Sequence, residues 1–265
     1  MGQYRLIQSV VPEGGTVAMY AAFPLGPRVA PLVVVLHGAL RDFSFVEGWA
    51  DRLTGIADVL LVEMPGHGRS TPILPAKVEA LADGVLWALK KEYSSRDILL
   101  VGESLGGLVA LMIGGRADRG PVQAILAADP PMTTAKLWGV VKGFSRAVAR
   151  NPTSEFLRSL AFEAFGLTAT DTYERIYYPV VGELKVPTVI VTGDVKLLPP
   201  RNTDRAACIF DDVDRFVVET HYPGKIEVRQ LANTSHFVLE EAHVACREII
   251  NEMVCAHLGA GSVLD

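Results

Sequence analysis

The chain is short of the features that mark several large classes of protein. Its 25 Lys and Arg are outnumbered by 30 Asp and Glu. No basic run or basic helix face is legible, which argues against nucleic acid as a partner. No segment approaches about eighteen uninterrupted apolar residues, so no membrane span is expected. Cysteine is scarce: Cys208, Cys246 and Cys255 are odd in number and lack zinc or redox spacing. That pattern points to reduced thiols in a cytoplasmic protein, with no metal site. The opening MGQYRLIQSV has no long apolar stretch of the kind a secretory signal needs. No internal repeat, low-complexity linker or cofactor fingerprint stands out, and no cofactor is expected.

What is present in quantity is apolar material, 49% of 265 residues, enough to bury a large core. Tyr4–Val11 and Thr16–Phe23 read as strands joined by the hairpin signal Pro12-Glu13-Gly14-Gly15. Leu32–Leu36, Val59–Val62, Ile98–Val101, Ala124–Ala127 and Thr188–Val191 are continuous, β-branched apolar runs, the pattern of strands buried on both faces. A last strand is expected over Ile226–Gln230. Helical periodicity fills the gaps at about Phe45–Thr54, Lys77–Tyr93, Ser104–Arg116, a segment after Asn202, and Phe237–Leu258. Such alternation predicts a mostly parallel sheet with helices on both faces. From Pro130 to about Leu184 the alternation stops. Leu137, Val140, Val141, Phe144 and Val148 form one helical stripe, and Phe156, Leu160, Ala164 and Phe165 another. This reads as a helical insertion (130–184) between core segments 1–129 and 185–265. Its rings, Trp138, Phe144, Phe156, Phe162, Phe165, Tyr173, Tyr177 and Tyr178, are expected mainly to pack on one another, with a minority roofing a pocket.

The chemistry concentrates at strand ends. Gly102-Glu103-Ser104-Leu105-Gly106 follows one apolar run and opens the next: strand, sharp turn, helix. Alone, G-x-S-x-G arises by chance in roughly one chain in ten of this length. In this context it presents Ser104 Oγ on a strained turn, with the unpaired amides of a helix N-terminus behind it. His37-Gly38-Ala39 ends another buried strand. The Ala39 and Leu105 amides are candidate oxyanion donors, and His37 is expected to bond to backbone rather than react. Glu63-Met64-Pro65-Gly66-His67-Gly68-Arg69-Ser70 follows a third strand; Glu63 is read as a loop anchor and His67 as packing.

His236 opens the last helix on the sheet edge where Ser104 should lie, and is the candidate base that takes the Oγ proton. A carboxylate must then orient the imidazole. Asp194, just past the strand Thr188–Val191 and between Ser104 and His236 in chain order, is the expected acid. Asp129, at the end of the preceding strand, is the alternative, and Asp211, Asp212 and Asp214 read as a solvated helix face.

With these segments in hand the chain resembles the α/β-hydrolase superfamily, in its capped serine-hydrolase branch. The resemblance rests on His37-Gly38, Pro65 to Ser70, Gly102 to Gly107 and Ser235-His236-Phe237, in that order. It implies an eight-stranded, mostly parallel sheet with a helical cap inserted after strand six, and the chain order nucleophile, acid, histidine. Two residues depart from the pattern. Lys196 fills the slot where relatives often carry the acid, and Glu63 stands where they usually have Asp. Serine in the elbow disfavours the branches whose nucleophile is Asp. The expected function is hydrolysis of a small, fairly apolar ester, thioester or lactone through Ser104, Asp194 and His236. C–C bond hydrolysis, acyl transfer or perhydrolysis on the same triad, and a non-catalytic binding module on this scaffold, are the alternatives. The expected partner is a small-molecule substrate, and oligomeric state is left open, a homodimer being one option.

Overall fold

Side chains along the central strands alternate between two buried faces of one sheet. The computed structural model describes residues 4–12, 14–24, 30–199 and 204–259. Glu13 of the expected hairpin turn, Asn202 and the Trp138 side chain lie outside what is described. Eight strands form one sheet: β1 (Arg5–Val10), β2 (Thr16–Ala21), β3 (Leu32–Leu36), β4 (Asp58–Glu63), β5 (Ile98–Glu103), β6 (Val122–Ala128), β7 (Thr188–Thr192) and β8 (Glu227–Gln230). Their order is β1-β2-β4-β3-β5-β6-β7-β8. β1 and β2 pair antiparallel, β2 meets β4 antiparallel, and every later pairing is parallel.

The helices are α1 (Trp49–Arg52), α2 (Val78–Tyr93), α3 (Leu105–Gly115), α4 (Trp138–Arg150), α5 (Glu155–Phe165), α6 (Pro179–Glu183), α7 (Asp212–His221), α8 (Val238–Glu241) and α9 (His243–His257). Side chains of the central strands divide by the two-residue period of the pleat. Leu32, Val34, Leu36, Ile98 and Leu100 pack with α2 and α3 on one face. Val33, Val35, Leu99 and Val101 pack with Trp49, Cys246, Ile249 and Ile250 on the other. A strand covered on both sides must be apolar throughout, and β3 and β5 are buried at every residue.

The chain runs from β3 to β4 in one direction, then returns to place β5 on the other side of β3. Where the winding direction reverses, the loops leaving β3 and β5 diverge and open a crevice at their carboxyl ends. Gly38 and Ser104 leave those ends.

The β6–β7 connection carries α4, α5 and α6, the expected helical insertion. It is anchored to the core by polar contacts. Lys136 Nζ lies 2.6 Å from Asp214 and 3.0 Å from Asp211, and Tyr178 Oη donates to Asp214. The solvated reading of this acidic face is therefore corrected: Asp214 is fully buried, and Asp211 caps α7 by accepting from the Val213 and Asp214 amides. A capping box and a lysine bridge turn two of the three carboxylates inward.

Two further expectations change. Lys142, Arg146 and Arg150, four residues apart and exposed, form a basic face on α4 that the sequence reading missed. The single long C-terminal helix is broken at Ala242, where Glu241 turns back to accept from the Ser235 amide and hydroxyl. Among the described residues no helix is long and apolar enough to cross a membrane.

Candidate active site

The elbow is built by glycines that cannot be replaced in place. A Cβ on Gly102 would stand 2.2 Å from the Gly106 carbonyl oxygen, and one on Gly106 would stand 2.5 Å from that of His37. The N-terminus of α3 is therefore pressed against the end of β3, which brings the Leu105 and Ala39 backbones to one place. Ser104 sits between them at φ 55°, ψ −118°, a conformation that a residue with a Cβ holds only under strain, about 1–3 kcal/mol. Its amide donates to Ala128 O at 2.8 Å, so the turn is pinned to the neighbouring strand.

Ser104 and His236 line the same cavity, about 350 Å³, together with Gly38, Ala39, Val140 and Phe144. The volume and the predominantly apolar wall with few polar groups are those of a small-molecule site. α4 supplies part of the wall through Gly139, Val140, Gly143 and Phe144.

The acid expectation is corrected here. His236 Nδ1 lies 2.6 Å from Asp129 Oδ2, whereas Asp194 accepts from the Asn233 and Thr234 amides at 2.9 and 3.1 Å. Asp129 follows β6 at φ 46° and is fully buried. Its carboxylate also accepts from Thr192 Oγ1 and from the Ile209 and Phe210 amides. Three donors besides the imidazole fix both oxygens in place. Asp194 is a turn carboxylate that shapes the loop ahead of His236. The approach is close there too, for a Cβ on Gly193 would stand 1.9 Å from Thr234 O.

Glu103, the variable residue of the elbow, was not singled out from sequence. It is buried, accepts from the Leu239 amide at 3.0 Å, and faces Arg41 at 3.4 Å. The Arg41 guanidinium lies over the rings of Phe45 and Phe237, 4.5 and 4.4 Å from their centroids. Glu103 and Arg41 thus hold the segment just after His236 against the elbow. Burial pulls the His236 imidazole pKa down. The hydrogen bond and charge of Asp129, with the charge of Glu103, outweigh that pull and raise it above the ordinary histidine value. Burial raises the Glu103 carboxyl.

The remaining singled-out residues are structural in their contacts. His37 is buried, donates through Nδ1 to Gly38 O and accepts from the Met64 amide. Burial and the neighbouring His67 lower its pKa to about 3, which keeps the ring neutral. His67 bonds to Pro65 O and stacks edge-on with His37 and Phe156, and burial lowers its pKa to about 4. Glu63 accepts from Tyr20 Oη and the Arg69 amide, anchoring the loop as expected.

The alpha/beta hydrolase family model matches residues 33–249, and the chain belongs to that family. A pimeloyl-[acyl-carrier protein] methyl ester esterase of Yersinia enterocolitica is 27% identical over 173 residues. That match takes in 63% of this chain and 65% of the relative's length, so the chain spans just under two thirds of it. Among solved structures, an enol-lactonase from Burkholderia xenovorans superposes with a TM-score of 0.67 at 16% identity, covering 94% of this chain and 100% of that one. A carboxylesterase from Bacillus subtilis gives 0.68 at 15% identity, covering 96% and 92%. At such identities these two structures establish the fold.

Proposed function

We propose that the protein is a serine hydrolase that cleaves small, predominantly apolar carboxylic esters through an acyl-enzyme on Ser104. The observation that carries this reading is the strained Ser104 elbow sharing one cavity with an imidazole held by a buried, triply bonded Asp129. The printed name of the curated relative, a methyl ester esterase, supports the same chemistry.

In this reading Ser104 Oγ attacks the ester carbonyl while His236 Nε2 takes its proton. Asp129 keeps the other ring proton on Nδ1 and stabilises the imidazolium. The carbonyl oxygen becomes an anion held by the Ala39 and Leu105 amides; one such donor is worth about 2.7–4 kcal/mol in comparable sites. His236 returns the proton to the leaving alcohol, then activates the water that frees the acid. Residues 130–184 act as a cap that sets the shape of the acyl pocket, over a core of 1–129 and 185–265.

A fluorophosphonate probe tests the reading. Peptide mapping should place the adduct on Ser104; an adduct elsewhere, or none, defeats the proposal. Product analysis with methanol or peroxide added as an acceptor separates hydrolysis from acyl transfer and perhydrolysis.

A pH prediction follows from the charges facing the imidazole, Asp129, Glu103 and Arg41. The base works only when neutral, so kcat/KM should fall as pH drops through the raised His236 pKa. In Glu103→Gln the side-chain oxygen still accepts from Leu239, but a negative charge is gone. The acid limb of the kcat/KM profile should therefore move to lower pH. A limb that stays in place or moves upward would show that Glu103 does not set the basicity of His236.

A further inference from the structure

A second cavity of about 570 Å³ opens between α4 and α5, lined by Val141, Val148, Ala161, Phe162 and Leu167 among others. It shares one residue with the catalytic cavity, Phe144. That ring is buried, 3% exposed, and packs on Phe165 with centroids 5.0 Å apart. On the catalytic side of α4 the wall is unusually open. A Cβ on Gly139 would meet nothing within 4 Å, and one on Gly143 only Leu40 Cδ1 at 3.8 Å. A straight chain leaving the Ser104 acyl position thus meets a bare helix face, then a single ring, and then a larger, mostly apolar space.

We propose that Phe144 is a gate between the acyl pocket and a second binding site, and that this site takes the distal methylenes of a linear, medium- to long-chain acyl group esterified to Ser104. This rests on the serine-hydrolase reading and extends its substrates from small esters to esters with longer acyl chains. The occupant is an unbranched aliphatic tail because a single ring, Phe144, is common to the two linings and the further walls include valine, alanine, leucine and phenylalanine side chains. The polar residues of the second cavity, Ser145, Arg158, Thr168 and Thr172, are all exposed, at its solvent side. Each methylene moved from water to such a surface strengthens binding about fourfold, so two or three that pass the ring are enough for a tenfold preference.

Two measurements test the gate. Removing the ring should join the cavities, so in Phe144→Ala the ratio of kcat/KM for p-nitrophenyl dodecanoate over butyrate should rise about tenfold; an unchanged or lower ratio speaks against the gate. The second measurement keeps the ring. In Ser145→Cys, a thiol at the second cavity is treated with maleimide after inactivation by a p-nitrophenyl butylphosphonate or dodecylphosphonate. In each case Ser104 Oγ attacks phosphorus and p-nitrophenolate leaves. The dodecyl adduct should slow labelling at position 145, read by peptide mass, about tenfold relative to the butyl adduct. Equal labelling with both adducts formed on Ser104 overturns the second site and leaves the hydrolase reading intact. Failure of both phosphonates to modify Ser104 overturns the hydrolase reading and the gate with it.

Discussion

Ser104→Ala should lower kcat for a simple ester by about 10⁶-fold, the loss seen when a triad serine is removed from a serine protease. That is about 8 kcal/mol of transition-state stabilisation. The residue does two separable things, and the substitution removes only one. Alanine keeps a Cβ at φ 55°, so the elbow stays as strained as before and the thermal midpoint should barely change. Ser104→Gly relieves the strain and should melt higher than Ser104→Ala while being equally inactive. A second check uses non-additivity. If Ser104, His236 and Asp129 act as one unit, Ser104→Ala combined with Asp129→Asn should be no slower than Ser104→Ala alone. The residual rate then reports the Ala39 and Leu105 amides, which neither change touches. Activity in Ser104→Ala within tenfold of the parent protein would mean that the nucleophile lies elsewhere.

Much of this arrangement was legible before any coordinates. The eight strands, the interruption after β6, and Ser104 and His236 at strand ends all follow from apolar periodicity and glycine placement. Those signals are local, and local steric rules enforce them: Gly102 and Gly106 are required by contacts within the elbow and with the adjoining strand. The acid was legible only as a choice of two. Chain order allows Asp129 and Asp194 equally, and β6 and β7 are neighbours in the sheet, so either strand end lies near the histidine loop. What separates them is long-range: the Ile209 and Phe210 amides and Thr192 converge on Asp129. A usable signal was present in Lys196, which occupies the usual acid slot after β7 and already argued for a displaced carboxylate. Glu103 and Arg41 were missed for a related reason. Their meaning lies in contacts with Leu239 and Phe237, more than a hundred residues away in the chain.

Asp129→Asn should cost about 10⁴-fold in kcat, near 5.5 kcal/mol, the effect of neutralising the orienting aspartate of a serine protease triad. The sign comes from hydrogen-bond direction. As a carboxylate, Asp129 Oδ2 accepts from both the His236 ring and the Ile209 amide. An asparagine nitrogen at that position can only donate. If its nitrogen faces the ring, Nδ1 becomes an acceptor, the ring proton moves to Nε2, and the atom that should receive the Ser104 proton is already occupied. The same nitrogen would face the Ile209 N–H donor-to-donor, so stability should also fall, by about 1–3 kcal/mol. Activity is therefore compared per mole of folded protein, with the folded fraction taken from the thermal transition. Asp194→Asn is the matched control. Its carboxylate accepts two backbone amides in an exposed turn; an amide oxygen can keep one of them, and no ring proton depends on it. Its kcat should stay within about tenfold of the parent protein, a loss of roughly 1.4 kcal/mol at most. The reverse ranking, with Asp194→Asn crippled and Asp129→Asn nearly normal, would require the histidine loop to adopt a different position during turnover and would return the orienting role to Asp194.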